Sequence, residues 1–218
     1  RLTDLEVARN IGVRGFRLTQ DGTAEETWQA IAQQLLARRA QLARETRETR
    51  IAVAVDLDAE SPIRIATGHR FFDHMLEQLA KHGGFSMQLD CTGDLEVDEH
   101  HTVEDCALAI GSVLRLALGD KRGIGRYGFL LPMDESQVQV AMDLSGRPYA
   151  VFDGHFPRTE VGGLATELVP HFFRSLAETL GAAIHVSVKG ENTHHMVEAC
   201  FKGVGRALRL AIRRAGVE

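Results

Sequence analysis

The string His-His-x-Val-Glu occurs twice in this chain, at His100–Glu104 and at His194–Glu198, and each copy heads the last helix of a larger repeat. That repeat constrains the fold more than any other feature. Ile51, Val53 and Val55 alternate as a strand does, and so do Ile63 and Ile65 ahead of Gly68. Phe71, Phe72, Met75, Leu76 and Leu79 predict a helix that stops at Gly83-Gly84. Phe85–Cys91 alternates again, and Val103, Ala107, Ile110, Leu114 and Ala117 mark a second helix ending near Gly119. The same order then recurs: strands at Val138–Leu144 and Tyr149–Phe152, a helix over Leu164–Leu180, a strand at Ile184–Val188 and a helix over Val197–Ile212. The expectation is an α+β fold of two tandem, pseudo-symmetric β-β-α-β-α units over residues 51–215.

The two units match at their chemical residues. His74 and His171 occupy corresponding helices, and the His pair follows 26 residues later in one unit and 23 in the other. On a helix Glu104 shares a face with His100 and His101, as Glu198 does with His194 and His195. Adjacent histidines diverge by about 100°, so each pair is better suited to serve two ions than to grip one. The candidate ligands are therefore His74, His100, His101, Glu104, His171, His194, His195 and Glu198. Divided evenly they give three imidazoles and one carboxylate per metal, with positions left for substrate or water. Such donors suit Mn²⁺ or Fe²⁺, and donor type alone does not separate these from Zn²⁺. A lone histidine is more often a packed core residue, and His69, His155 and His185, which have no duplicate, are read that way.

Composition narrows the class. A net charge of −5 gives no reason to expect nucleic acid or an anionic membrane as partner, and no apolar run reaches membrane-spanning length. Cys91, Cys106 and Cys200 are widely spaced and odd in number, as expected of reduced thiols in the cytoplasm. Ahead of the repeat, Thr23-Ala-Glu-Glu26 has the capping-box pattern, and Trp28, Ile31 and Leu35 fall at helical spacing. An amphipathic helix over Ala24–Arg44, passing into a solvated charged stretch at Arg38–Arg50, is the expectation there.

Several segments resemble imidazoleglycerol-phosphate dehydratases: His74-Met-Leu-Glu-Gln-Leu-Ala-Lys-His82-Gly, His100-His-Thr-Val-Glu-Asp105, Gly119-Asp-Lys-Arg-Gly-Ile, Asp143-Leu-Ser-Gly-Arg-Pro148, His171-Phe-Phe and His194-His-Met-Val-Glu198. The resemblance runs over residues 46–215. It implies sheets packed on a helical layer in the ribosomal protein S5 domain 2-like manner, and a homo-oligomeric shell of 24 subunits with sites shared between neighbours. It implies two manganese ions per active site. The implied reaction removes water from imidazole glycerol phosphate, through a metal-bound imidazolate, to give imidazole acetol phosphate for histidine biosynthesis. By position, Glu48 is the implied base and substrate contact, while Arg126, Arg147 and Lys202, assisted by Gln78 and His82, are implied to hold the phosphate.

Two departures accompany the resemblance. The family's Pro-Ser-Ser/Thr-Lys-Gly tail, which holds substrate phosphate, is absent from this sequence, which ends Ala215-Gly-Val-Glu218. At the other end, Arg1–Gly15 resembles the close of a haloacid-dehalogenase-type phosphatase. The first residue is Arg, so the chain is expected to be the C-terminal part of a bifunctional histidinol-phosphatase and dehydratase, without phosphatase activity of its own. The expected division is residues 1–45 for that remnant and linker helix and 46–218 for the dehydratase, with repeats at 46–120 and 134–215. Two other classes stay open to the residues: a dimetal phosphate-ester hydrolase, and a metal-assembled shell protein without catalysis.

Overall fold

The structure is a computed structural model that describes residues 2–13, 15–16 and 27–215. Residues 1–37 and 38–218 form two compact units. In the first, α1 spans Leu2–Asn10 and α2 spans Trp28–Leu36, with Thr27 Oγ1 accepting from Ala30 N at 3.2 Å as its cap. The capping-box segment Thr23–Glu26 lies outside the described residues.

The predicted helix over Ala24–Arg44 is corrected. The described helix ends at Leu36, and Arg39–Glu45 is a strand, β1, paired antiparallel with β2 (Thr49–Asp56). Its charges are partnered rather than merely solvated: Arg39 meets Asp56 at 2.6 Å and Arg44 meets Asp105 at 2.6 Å. Between them Ala40 and Leu42 turn inward to the core, so a period-two signal ran beneath a charge-rich surface.

The second unit contains both repeats. Repeat one continues with β3 (Ile63–Ala66), α3 (Arg70–Gly83), β4 (Ser86–Gly93) and α4 (His100–Leu118). Repeat two has β5 (Tyr127–Met133), β6 (Ser136–Asp143), β7 (Tyr149–Asp153), the small hairpin β8–β9 (Glu160–Val161, Leu164–Ala165), α5 (Leu168–Leu180), β10 (Ala183–Lys189) and α6 (Thr193–Ile212). The expected β-β-α-β-α order is present in each, preceded by one further antiparallel strand. The sheets run β1-β2-β4-β3 and β5-β6-β10-β7, the same order twice. The helix expected from Leu164 begins at Leu168, because Leu164 and Ala165 pair with β8 instead.

Alternate residues of β2 (Ile51, Val53, Val55) and β6 (Val138, Val140, Met142) are buried, while their neighbours face outward. Helix α4 packs on β1 and β2, and α6 on β5 and β6. The helices pair across the repeats, α4 with α5 and α3 with α6, around Phe72, Phe172, Phe173 and Phe201. No described helix is long and apolar enough to cross a membrane.

Close approach of the paired helices depends on two glycines. A Cβ on Gly111 would stand 2.7 Å from Leu176 O and 2.9 Å from Leu180 N of α5. A Cβ on Gly205 would stand 2.6 Å from Leu79 O and 3.1 Å from Gly83 N of α3. These are backbone atoms that cannot rotate aside. Gly111→Ala is expected to lower the denaturant midpoint: the helix-propensity gain of about 1 kcal/mol is outweighed by overpacking of about 1–3 kcal/mol. An unchanged or raised midpoint would show that the helices separate freely.

Candidate metal centre and substrate site

Both His pairs occupy the first turn of a long helix. Asn192 caps α6, its Oδ1 accepting from His194 N at 2.9 Å, and Asp98 Oδ1 accepts from His100 N at 2.9 Å. One turn further on, Glu104 and Glu198 face back toward the first histidine of each pair.

The single histidines complete these turns across the repeats. His171 Nε2 on α5 lies 3.3 Å from Glu104 Oε2, which lies 3.5 Å from His100 Nε2. One ligand atom from each of these residues falls within 4.8 Å of the other two. The mirrored group joins His74 of α3 to α6: Glu198 Oε1 is 3.5 Å from His74 Nε2, and Glu198 Oε2 is 3.5 Å from His194 Nε2. Spacing along the chain does not say which single histidine meets which pair; the cross-repeat helix packing does.

These residues fit a metal ion. His171 Nε2 is buried without a hydrogen-bond partner, an arrangement that leaves a lone pair or N–H unused unless something else occupies the space. Donor atoms about 2.1 Å from a shared ion are separated by about 3.0–3.4 Å, close to the distances found. At Glu198 burial pushes the carboxyl up, but the hydrogen bond and charge of Lys202, 3.0 Å away, with His74 and His194 beyond, bring it below its ordinary value.

His101 and His195 stand outside these two groups. His101 Nδ1 lies 2.9 Å from Asp94 Oδ2, and His195 Nδ1 lies 2.9 Å from Glu135 Oε2. Each hydrogen bond raises the pKa of its imidazole, and His195 draws the Glu135 carboxyl down to about 2. A carboxylate on Nδ1 fixes the ring and leaves Nε2 to bind something else, the usual outer support of a metal-binding histidine.

Glu48 is exposed in the turn between β1 and β2, close enough to help raise His101. That turn is tied to α4 by Asp105, whose Oδ2 accepts from Thr49 Oγ1 at 2.5 Å and Thr46 Oγ1 at 3.3 Å, and whose Oδ1 pairs with Arg44. The sequence alone assigns Asp105 no role, although a carboxylate directly after a candidate ligand is a signal that points to it.

The proposed phosphate residues separate into two places. Gln78 Nε2 is 3.4 Å from His74 Nδ1, and Lys202 is on Glu198, so both adjoin the α3–α6 group. His82 is lowered by burial first and then by Lys202, Arg206 and Lys81. Arg126 is elsewhere: its backbone N donates to Ala211 O near the end of α6, seventeen residues and about 25 Å along the axis from His194. It holds a left-handed backbone (φ 63) and grips Asp143 through two hydrogen bonds, at 2.6 and 3.1 Å. Arg147 is beside the C-cap of α5, where Gly146 N donates to Gly181 O. Of His69, His155 and His185, expected as packed core residues, His69 is half-buried and caps α3, its Nδ1 accepting from Phe72 N, whereas His155 and His185 are exposed, the latter against Tyr149. A cavity of about 650 Å³ on the outer face of the first sheet, lined by Gln41, Ala43, Ala52, Ala54, Arg64 and Gln88, contains none of these residues. Chemistry rather than volume locates the site.

With this geometry established, the likeness to known proteins is specific. The family model for imidazoleglycerol-phosphate dehydratase matches residues 67–208. A Stenotrophomonas maltophilia protein named histidine biosynthesis bifunctional protein HisB is 55% identical over 99% of this chain and 61% of its own length. A Xanthomonas axonopodis protein of the same name is 52% identical over 99% of this chain and 63% of its length, so the chain spans about three fifths of these relatives. Among solved structures, the Staphylococcus aureus imidazoleglycerol-phosphate dehydratase is 36% identical with a TM-score of 0.74, covering 81% of this chain and 99% of that one. The Pyrococcus furiosus counterpart is 38% identical with a TM-score of 0.71, covering 80% and 95%. The chain belongs to the imidazoleglycerol-phosphate dehydratase family, whose members are hydro-lyases.

Proposed function

We propose that this chain removes water from imidazole glycerol phosphate to give imidazole acetol phosphate, using two manganese ions per active site. The observation that carries the reading is the histidine–glutamate group of His100, Glu104 and His171, with its counterpart at His74, His194 and Glu198, each assembled from helices of both repeats, in a member of this family. Nitrogen and carboxylate donors with no thiolate favour manganese over a soft-ligand zinc site. The metal supplies Lewis-acid polarisation of the substrate's azole ring. Glu48 takes the carbon-bound proton, and Gln78, His82 and Lys202 hold the phosphate end near the α3–α6 group.

The separation of the remaining parts supports sites shared between copies. His101 and His195 have Nδ1 engaged and Nε2 free, and Arg126 and Arg147 sit at the far ends of α6 and α5. Another chain presenting its arginines and outer histidines to these groups would complete three imidazoles and a carboxylate per ion. A closed shell of 24 chains is the assembly we propose, in the cytoplasm. The relatives' name, bifunctional, and the likeness of Arg1–Gly15 to a phosphatase end support placement within a longer protein that also carries histidinol-phosphatase.

The test is direct. Protein reconstituted with manganese is expected to bind two ions per chain and to form imidazole acetol phosphate, with a substrate-like triazole as a strong inhibitor. Two bound ions without product would replace this reading with a metal-assembled scaffold. Hydrolysis of simple phosphate esters without dehydration would replace it with a hydrolase.

A further inference from the structure

The two repeats correspond residue by residue, and the places where they fail to match are informative. His74 maps to His171, an offset of 97, and His100 maps to His194, an offset of 94. The first offset also relates Gly84 to Gly181, both left-handed caps with φ of 67° and 65°. The second relates Gly111 to Gly205, the two points of close helix approach. The correspondence therefore holds in three dimensions as well as in sequence.

Under it the metal-ligand candidates map onto one another, but the next two turns do not. Gln78, Lys81 and His82 of α3 correspond to Ser175, Glu178 and Thr179 of α5. Lys202 and Arg206 of α6 correspond to Leu108 and Ser112 of α4, neither of which carries a charge. His74, Gln78 and His82 form one i, i+4, i+8 stripe, and Glu198, Lys202 and Arg206 form the facing one. Gly205 brings the stripes together, since a Cβ there would be 3.2 Å from His82 Cβ. Helical side chains lean toward the helix N-terminus, which inclines Arg206 toward Lys202 and the histidine group. His82 feels Lys202, Arg206 and Lys81 together, with Glu198 the carboxylate that counters them. Glu198 is already engaged by Lys202 and two histidines. No described carboxylate lies within 4.0 Å of Arg206. Past the end of the stripe Arg206 also lines a cavity of about 600 Å³ with Gly83, Gly84, Arg209 and Asp58, and Asp58 is paired with Arg38 and Arg214.

We propose that Arg206 is the outer cation of a phosphate-attracting groove found only on the α3–α6 half, where it draws a phosphate monoester dianion toward Lys202 and His82. It is a positioning residue that acts through the field it adds, since uncompensated charge in a cleft concentrates the opposite charge there. The proposal rests on the dehydratase reading for the identity of the ligand, but not for the run of cations along α6, whose spacing places them on one stripe.

The test uses the full chain, assembled and loaded with manganese, and two probes: a triazole carrying an alkyl phosphonate, and the same triazole without it. Arg206→Gln is expected to weaken the phosphonate probe about tenfold and flatten its salt dependence. The plain triazole should shift by less than about twofold, and Arg206→Lys should recover most of the loss, because the charge is what matters. Arg209→Gln removes an equal charge that is paired with Glu60 at 2.5 Å, and it is expected to leave both probes unchanged. Equal phosphonate binding by Arg206→Gln and the unaltered chain would overturn the proposal. So would an equal loss for both probes, or failure of Arg206→Lys to recover, because each marks a packing role. A chain that discriminates the probes as expected but makes no imidazole acetol phosphate would sink the dehydratase reading and leave the groove standing.

Discussion

Glu104→Gln is expected to cost the chain one of the two metal ions proposed for it and at least about 100-fold in dehydration rate, with the fold intact. Glu104 Oε2 is the atom that His100 and His171 share, at 3.5 and 3.3 Å, so it is the anionic member of that group. An amide of the same size keeps the shape but removes the charge that offsets a divalent ion. Loss of a group merely supporting a ligand costs roughly 10–100-fold, and a ligand should cost no less. The side chain is 38% exposed, so glutamine meets little desolvation penalty and circular dichroism should be unchanged. The mirrored Glu198→Gln should differ. Glu198 is 10% exposed and bound to Lys202, itself 19% exposed, so that variant leaves a largely buried ammonium unpaired and should also melt earlier. Metal per chain, initial rate and Tm measured on both variants separate the effects. Wild-type metal content in Glu104→Gln would remove Glu104 from the ligand set.

The repeat was legible because each of its elements carries a strong period. Ile51-x-Val53-x-Val55 and the α3 stripe of Phe72, Met75, Leu76 and Leu79 bury the residues their spacing predicts. Strand β1 was hidden because the side chains that mark its outer face are charged, and their partners Asp56 and Asp105 lie 17 and 61 residues away in sequence. Strand β5 was missed for a different reason: its apolar run is short, includes Pro132 and changes register between Phe129 and Leu131. The candidate ligands could be named from the sequence but their groupings could not, since the partner of each His pair is chosen by helix packing. Arg126 and Arg147 show the limit from the other side. Their positions in sequence associate them with the site, yet within one chain the folded distances place them at the opposite ends of the helices.

Glu48→Gln is expected to lower the dehydration rate about 100- to 10,000-fold, the usual worth of a general base, with metal content and Tm unchanged. The expectation follows from where the turn is held. Glu48 is exposed and its backbone N donates to Thr46 Oγ1 at 3.2 Å, so the side chain makes no structural contact that its loss would forfeit. What fixes its position is Asp105, which gathers Thr46, Thr49 and Arg44 one residue after Glu104. The turn bearing the proposed base is thereby referenced to the helix bearing the proposed ligand. Asp105→Asn weakens that tie without touching the base, so it should reduce the rate by less than Glu48→Gln and lower Tm as well, because Arg44 loses its buried partner. The two variants together distinguish chemistry from placement. An unchanged rate in Glu48→Gln would exclude it as the base, whereas a rate lost only in Asp105→Asn would show that the turn matters for its shape and that the proton is taken by another group.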